Sequence, residues 1–238
     1  MADHSNEVLP SGAEIAGRVR KITPQTLISF SRGKDSIGVW LSLRDKFDVY
    51  MYSYYVVPGL EFEQEDIARW EKITGRHIVQ LPAPGLYRMI KYMTYQPLDR
   101  FNFINSCELP EFSHDDLQEE AGKIHGMGPE PVWNALGIRA KDSIARRFEV
   151  MRSGGINYSR RIYYPICDLG KTELVDMIKK SGIKLPIDYK IWGRSFDGIA
   201  ARFLVPMKKQ LPRDYKRILE FFPLAEAEVF RAERAWKK

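Results

Sequence analysis

The sequence predicts an α/β protein with three layers: a doubly wound, mostly parallel sheet between helices, followed by a helical C-terminal extension. Three observations predict this fold. Short apolar or β-branched runs alternate with segments of helical periodicity from residue 27 to residue 81. A polar, glycine-containing turn joins the first run to the first helix. Because consecutive β-α-β units need crossover connections, we expect parallel strands with right-handed crossovers.

Residues 27–43, LISFSRGKDSIGVWLSL, form the segment around which the chain is organised. An apolar run predicts a buried strand, residues 31–36 break it as a tight polar turn, and a helix follows. The N–H groups of such a turn and the positive end of the helix dipole converge on one point, where a phosphate binds well. Lys34 adds a full positive charge there. Asp35 and Ser36 can cap the helix or help hold a magnesium ion.

The turn is not a Walker loop. That motif, G-x-x-x-x-G-K-[ST], would need a hydroxyl residue where Asp35 stands and a glycine where Ile28 stands. The segment therefore predicts a phosphate cradle of another kind.

The remaining elements follow from residue type and spacing. Further strands are predicted at residues 47–57 and 77–81, another strand ends at Ile138, and residues 161–169 are predicted to form a final strand and turn. Helices are predicted at residues 13–21, 60–74, 86–93, after Ser113, after Arg139, from 171 to about 182, and at about 212–236. Gly75 and Gly182 are expected to end two of these helices as C-caps.

Residues 84–135 have the weakest pattern, and two interpretations stay open there. Aromatic residues alternate with basic ones over Tyr87, Arg88, Lys91, Tyr92, Tyr95, Arg100, Phe101 and Phe103. Such a stripe is either core packing or a clamp for a base or an oligonucleotide. Residues 125–129, HGMGP, are interpreted as a loop that covers a site.

Arg139 is the second candidate for phosphate binding. It follows the strand that ends at Ile138, and ligands of open parallel sheets bind at the carboxyl ends of strands. A guanidinium grips phosphate oxygens in pairs. Ser143 and Arg146 are expected one and two turns into the next helix; for Arg146 a plain surface position is the alternative.

These segments together resemble the PP-loop ATP pyrophosphatases, whose fold is called adenine nucleotide alpha hydrolase-like, and specifically their phosphoadenosine phosphosulfate reductase-like branch. The matching motifs are S-x-G-K-D-S at residues 31–36, G-I-R-A-x-x-S-x-x-R at residues 137–146, Y-P-I-x-D at residues 164–168 and G-I-x-L-P-x-x-Y at residues 182–189. Arg32 replaces a residue that is usually glycine. Gly59, Glu61 and Phe62 match a further motif in part, because Val57-Pro58 stands where the family has D-T. The resemblance covers most of residues 27–190, and stand-alone members of this type are similar to phage and DNA-modification proteins.

The resemblance implies an enzyme that binds ATP and Mg²⁺ and adenylates an acceptor with release of pyrophosphate, so that sulfur or nitrogen can then be transferred. The implied catalytic residues are Lys34, Asp35 (also the metal ligand) and Arg139. The implied nucleotide-binding residues are Ser31, Arg32, Gly33, Ser36, Tyr52, Ser53, Tyr54 and Gly137. The implied substrate-binding residues are Ser143, Arg146 and Glu61 or its neighbour Glu63, although the acidic first turn of a helix is an ordinary explanation for both glutamates. Arg194 and Arg202 are candidate substrate-binding residues because the tail is basic, and a solvated chain end is the alternative.

Two other functions stay open. A sulfonucleotide reductase would need a C-terminal cysteine, and none follows Cys167, so this function would require Cys167 or Cys107 to reach the site. A non-catalytic nucleotide or nucleic-acid binder would keep the cradle and lose turnover. With only two cysteines, distant in sequence, we expect neither a disulfide framework nor an iron–sulfur cluster.

Charge and composition limit the classes of partner and the location that we expect. Residues 139–238 carry a net charge of +11 and residues 1–138 carry −5. The basic half suits a DNA or RNA acceptor or an anionic nucleotide, and a solvated surface with scattered lysines is the alternative. No apolar run is long enough to span a membrane, the N-terminus lacks a secretory pattern, and we expect a cytoplasmic protein. A sulfur- or nitrogen-donor protein and a homodimer are compatible with the sequence. The predicted organisation is an N-terminal helix segment at 1–24, a nucleotide-binding domain at 25–190 with an insert at about 92–135, and a basic helical extension at 191–238.

Overall fold

The computed structural model describes residues 9–128 and 132–235. Residues 1–8 of the predicted N-terminal segment, Pro129 of the predicted covering loop and Trp236 of the predicted last helix lie outside the described residues. The chain divides into two compact units. The first unit runs to Tyr52 and resumes at Gln118–Lys184, and the second comprises Ser53–Leu117 and the chain from Leu185 onward.

A six-stranded sheet runs through the fold in the order β3-β2-β1-β4-β6-β5. Its strands are β1 (Gln25–Ser29), β2 (Asp48–Tyr55), β3 (Ile78–Pro82), β4 (Asn134–Ala135), β5 (Ile156–Asn157) and β6 (Ile162–Tyr163). Strand β1 pairs in parallel with β2 and β4, and β4 pairs in parallel with β6. Only β5 is recorded as antiparallel among these pairings, against β6. The predicted α/β class with a mostly parallel sheet is confirmed.

Helices flank this sheet. The helices wholly in the first unit are α1 (Gly12–Arg20), α2 (Lys34–Leu43), α7 (Ile144–Ser153) and α8 (Lys171–Ser181). Those of the second unit are α3 (Glu61–Thr74), α4 (Pro84–Lys91), α5 (Phe101–Ser106), α9 (Ile187–Trp192), α10 (Ala201–Gln210), α11 (Pro212–Phe221) and α12 (Ala225–Ala235). Helix α6 (His114–Ile124) crosses the boundary between the units along the chain, and short 3-10 turns occur at Leu98–Arg100 and Ala140–Asp142.

The first unit is held by the apolar residues of β1 and the inner face of α2. Leu27 and Ile28 of β1 are completely buried, as is Ile37 of α2. Helix α2 packs closely on α8. The distance shows this: a Cβ added at Gly38 would lie 2.2 Å from Leu174 Cδ1. Burial of these side chains fixes where α2 starts, and hence where the polar turn before it stands.

The second unit has its own core. Phe62, Phe196 and Phe203 are buried in it, and the Phe62 and Phe196 rings lie 5.6 Å apart at an interplanar angle of 88°. The Asp214 carboxylate, at the start of α11, accepts a hydrogen bond from the backbone N–H of Glu61 and so caps α3. The C-terminal helices are therefore joined to the segment that follows β2 by apolar packing and by this cap.

Several predicted boundaries are wrong. Strand β4 ends at Ala135 rather than Ile138, and Ser143 is the N-cap of α7 rather than a residue within it. The last predicted strand is reduced to Ile162–Tyr163. The predicted helix at 212–236 is two helices, because Pro223 cannot continue a helix and the N–H of Leu224 donates to the Tyr95 carbonyl at 3.0 Å. Gly75 and Gly182 end their helices with φ of 68° and 73°, as predicted.

Two glycines of α1 give a matched test of the packing. A Cβ at Gly12 would lie 2.2 Å from the Pro165 carbonyl oxygen, whereas a Cβ at Gly17 meets nothing within 4 Å. We expect Gly12→Ala to lower the free energy of unfolding by about 1–3 kcal/mol through overpacking. Gly17→Ala should raise it by about 0.5–1 kcal/mol, because alanine loses less backbone entropy in a helix. Urea unfolding of both variants measures this, and equal effects would contradict the close contact.

Candidate functional site

The strand order places a topological switch point between β1 and β4. From β1 the chain continues to β2 and β3 on one side, whereas β4 and β6 lie on the other side of β1. In open parallel sheets the loops after two such strands diverge and leave a crevice at their carboxyl ends. Here these loops are residues 30–33, after β1, and residues 136–139, after β4. They carry the two candidate phosphate-binding segments of the sequence.

The turn after β1 has an unusual backbone. Arg32 adopts φ of +61°, a left-handed conformation that costs a non-glycine residue about 1–2 kcal/mol. This explains why glycine is usual at this position in the resembling motif. Gly33 is the N-cap of α2, and its carbonyl accepts a hydrogen bond from Ser36 Oγ at 3.0 Å. Ser31 Oγ donates in turn to Ser36 Oγ at 3.3 Å, so both hydroxyls hold the turn together.

Lys34 and Asp35 open the first turn of α2, where backbone N–H groups have no partner within the helix. Lys34 Nζ lies 2.7 Å from Asp35 Oδ2. Both side chains are partly exposed. The first turn therefore combines backbone donors, a helix dipole and a cation at one accessible point.

Arg139 reaches the same carboxylate from the loop after β4. Its Nε donates to Asp35 Oδ1 at 2.9 Å, and its Nη2 donates to Asp142 Oδ1 at 2.6 Å. Arg146 Nη1 donates to the other oxygen of Asp142, also at 2.6 Å. These contacts join five side chains of alternating charge: Lys34, Asp35, Arg139, Asp142 and Arg146. We call this group the switch-point network.

A close backbone approach makes this network possible. A Cβ at Gly137 would lie 2.9 Å from Asp35 Cβ and 3.0 Å from the Asp35 carbonyl carbon. Only a glycine lets the loop after β4 lie so close to the first turn of α2. The structure thereby brings together the predicted residues Gly137, Arg139 and Arg146 with Lys34 and Asp35.

Sequence reasoning missed Asp142. A signal was present, because this residue stands three positions after Arg139 and four before Arg146, spacings at which side chains meet in helical turns. Ser143 also has a defined position: its Oγ accepts a hydrogen bond from the Arg146 backbone N–H at 3.2 Å. Its hydroxyl is an N-cap of α7.

Tyr52 lies in the first unit and is buried. It stands opposite Ser29 of β1, and its hydroxyl accepts a hydrogen bond from Asn134 Nδ2 at 2.8 Å. The side chain therefore links β2 with β4 across β1, beneath the switch point.

The other predicted site residues belong to the second unit. Ser53 is buried in β2, and the Tyr54 ring centroid lies 5.1 Å from that of His114. Glu61 Oε1 lies 3.5 Å from Arg213 Nη1. Two basic side chains, Arg194 and Arg202, both form ion pairs with Asp197.

The aromatic stripe is largely not core. Tyr92, Phe101 and Phe103 are exposed, so the core interpretation is wrong for these three. Tyr87 and Tyr95 are partly buried and pack against the core of the second unit.

The two cysteines lie in different surroundings, and that of Cys167 disfavours a thiolate. Cys167 is completely buried, its Sγ donates to the Pro10 carbonyl at 3.4 Å, and burial, together with the nearby Asp168 charge, raises the pKa of its thiol to about 12. Cys107 is exposed and lies in the second unit. Among residues 9–128 and 132–235, no three His, Cys, Asp or Glu side chains cluster closely enough to hold a metal. In the same ranges every helix is too short or too polar to span a bilayer.

No protein-family model matches the chain, and no curated protein matches it. Among solved structures it is similar to an NH₃-dependent NAD synthetase from Campylobacter jejuni, with a TM-score of 0.44 and 11% identity over 92% of each chain. It is also similar to the U34-tRNA thiolase NcsA from Methanococcus maripaludis, with a TM-score of 0.43 and 14% identity over 90% of this chain and 79% of that one. Similarity at this level carries no information about function.

Two arginines on the same carboxylate provide a test of the switch-point network. Arg139 is 3% exposed and Arg146 is 48% exposed, yet both bond Asp142 at 2.6 Å. Arg139→Met should lower the free energy of unfolding by about 3 kcal/mol, because it removes one partner of a buried ion pair. Arg146→Met should cost less than about 1 kcal/mol, as an exposed pair does. Urea unfolding of the two variants decides this, and equal losses would show that burial of Arg139 is unimportant.

The two thiols should differ sharply in reactivity. At pH 8 the Cys167 thiol, with its pKa of about 12, stays protonated and is buried, whereas Cys107 is exposed to the reagent. We expect iodoacetamide to add one carboxamidomethyl group to the folded protein and none to Cys107→Ser. Mass spectrometry reads this directly, and unfolding in urea should expose the second site. Rapid labelling of Cys167 in the folded chain would contradict its burial.

Proposed function

We propose that the chain is an enzyme of the PP-loop ATP pyrophosphatase type, which binds ATP with Mg²⁺ and transfers the adenylyl group to an acceptor. The observation that carries the proposal is that Lys34 and Arg139 contact opposite oxygens of one carboxylate at the switch point. Two cations and the first turn of α2 then face the place where such sheets bind anionic ligands.

The polyphosphate of ATP would bind where Asp35 now receives two cations. The N–H groups of the turn around Gly33 would cradle the pyrophosphate portion, and Lys34 would neutralise it. Arg139 Nη2 donates to Asp142, and this bond would keep the guanidinium in place while Nε exchanges its bond to Asp35 for one to a phosphate oxygen. Ser31, Arg32, Ser36 and Gly137 shape this cradle.

The proposed reaction is an adenylyl transfer. A nucleophilic oxygen of the acceptor forms a bond to the α-phosphorus, and the bond from that phosphorus to the bridging oxygen breaks. Pyrophosphate leaves with the electron pair, and an acceptor that attacks through a hydroxyl gives its proton to solvent water. Lys34 and Arg139 stabilise the charge that develops on the leaving group, so the protein contributes positioning and electrostatics.

One carboxylate at this site suits magnesium. Mg²⁺ is usually bound by one or two carboxylates together with substrate phosphates, and Asp35 is partly exposed beside the cradle. When bound, the ion would neutralise phosphate oxygens, with Asp35 as its protein ligand.

The remaining predicted roles are part of the proposal. Tyr52, Ser53 and Tyr54 at the carboxyl end of β2 would lie against the adenine. Ser143 and Arg146 would contact substrate near α7, and Glu61, Arg194 and Arg202 are proposed as further substrate-binding residues. The basic C-terminal half favours a nucleic acid or nucleotide as the acceptor, with a sulfur or nitrogen donor acting afterwards.

The sulfonucleotide reductase alternative has little support. Its chemistry needs a thiolate, and the Cys167 thiol is buried with a pKa raised to about 12. The non-catalytic binder shares the cradle, and a turnover assay separates it from the enzyme.

Lys34→Ala tests the cradle. Losing a charged hydrogen bond to phosphate should weaken ATP binding about 10- to 150-fold, corresponding to about 1.5–3 kcal/mol. Calorimetric titration with ATP and Mg²⁺ measures this, with Lys179→Ala, an exposed lysine at the end of α8, as the matched control.

Pyrophosphate release from ATP, with and without DNA or RNA, is then followed in the same proteins. We expect an acceptor to stimulate release by the wild-type chain and not by Lys34→Ala. Unchanged ATP affinity in Lys34→Ala would remove the proposed site. Tight ATP binding with no release for any acceptor would identify a binder.

A further inference from the structure

Helix α7 is poorly buried for a helix beside a candidate site. Residues 141–148 are exposed without interruption, and Val150 is the one buried residue recorded in α7. Ile144 and Phe148, four positions apart on one face, are 77% and 63% exposed. A helix in a globular protein normally turns such residues inward, so this face is fitted for a partner.

The charge of this segment indicates which partner. Residues 139–153 carry five Lys/Arg and two Asp/Glu, a net charge of +3. Both acids already bond arginines: Asp142 with Arg139 and Arg146, and Glu149 with Arg152. The acids of the segment are thereby neutralised, and its excess charge suits a polyanion.

Arg147 and Phe148 place charge and stacking surface side by side. Arg147 is exposed, and no ion pair joins it to another residue of the described ranges. With Ile144 it stands on the face that Phe148 shares, because residues at i, i+3 and i+4 are neighbours on a helix. Proteins that bind single-stranded nucleic acid use cations for the phosphates and aromatic rings for stacking on the bases, and Arg147 and Phe148 provide one of each.

We propose that this face of α7, formed by Ile144, Arg147 and Phe148, binds a single-stranded segment of nucleic acid. A base would stack on Phe148, and the adjoining phosphate would pair with Arg147. Bases in a duplex are already stacked, so a duplex would offer Phe148 no free ring face. The inference rests on the proposed function, because it names the acceptor class for the same site: α7 begins at Ile144, two residues after Asp142, and its Arg146 belongs to the switch-point network.

Fluorescence anisotropy with a labelled oligothymidylate of about 12 nucleotides, and with a duplex of equal length, tests the proposal on the full chain. We expect the single strand to bind more tightly than the duplex. Phe148→Ala and Phe148→Leu should both weaken single-strand binding about tenfold or more, whereas Phe148→Trp should retain it, because stacking needs a ring. Arg147→Ala should lower the slope of log affinity against log salt by about 0.7, the value for one phosphate contact on a single strand.

Helix α12 supplies matched controls in the second unit. Phe230 is 54% exposed and precedes an exposed arginine, Arg231. Phe230→Ala and Arg231→Ala should leave oligonucleotide binding unchanged. Equal losses in the α12 and α7 variants would overturn the proposal, because binding would then follow overall charge.

Three other results would also overturn it: no single-strand binding, equal duplex binding, or Phe148→Leu behaving like the wild type. A wild-type dimer that becomes a monomer in Phe148→Ala would assign the face to a second copy instead. ATP titration of the wild-type chain separates the two proposals. If the chain binds ATP but the Phe148 and Arg147 variants bind single strands like the wild type, only this inference is removed. If these variants lose single-strand binding but the wild-type chain does not bind ATP, the proposed function is removed and the binding face on α7 remains.

Discussion

The Asp35 carboxylate is the point on which the site depends. It accepts Lys34 from its own helix and Arg139 from the loop after β4, with Gly137 leaving room for the two backbones to approach. A buried guanidinium is tolerated only when its charge is compensated, and Arg139 receives two carboxylates. The same interaction therefore joins the loops after two neighbouring strands and orients both cations toward the switch point.

Much of the fold could be predicted because its longest elements have clear periodicity. Strands β1, β2 and β3 and helices α2 and α3 have apolar runs or capping glycines that act locally. Strands β4, β5 and β6 have two residues each, too few for any period to appear, so their limits and the antiparallel β5 were not predictable. The break at Pro223 was visible in the sequence, but the surrounding helical spacing outweighed it.

The site was predictable only in its local part. Residues 31–36 carry their own signal, since a turn and a helix start are set by neighbouring residues. That Arg139 would bond Asp35 depends on the pairing of β4 with β1, which joins segments more than a hundred residues apart. Asp142 depends on a 3-10 turn, and the Asp214 cap of α3 on tertiary packing across 153 positions. The Asp214 cap has no local signature, whereas the spacing of Asp142 from Arg139 and Arg146 was visible and only the turn that aligns them was not.

The switch-point network supplies only part of the affinity that this site would have for a phosphate. Its five side chains sum to a net charge of +1, and each cation that turns to a phosphate oxygen gives up a bond to Asp35 or Asp142. A polyphosphate carries more negative charge than one carboxylate, so each cation gains on this exchange and still contributes to phosphate binding a charged hydrogen bond of about 1.5–3 kcal/mol. What a phosphate gains in addition comes from backbone N–H groups and the helix dipole, about 0.3–1 kcal/mol for the dipole alone. The left-handed Arg32 and the N-cap Gly33, which set the direction of those groups, therefore contribute in addition to the side-chain cations.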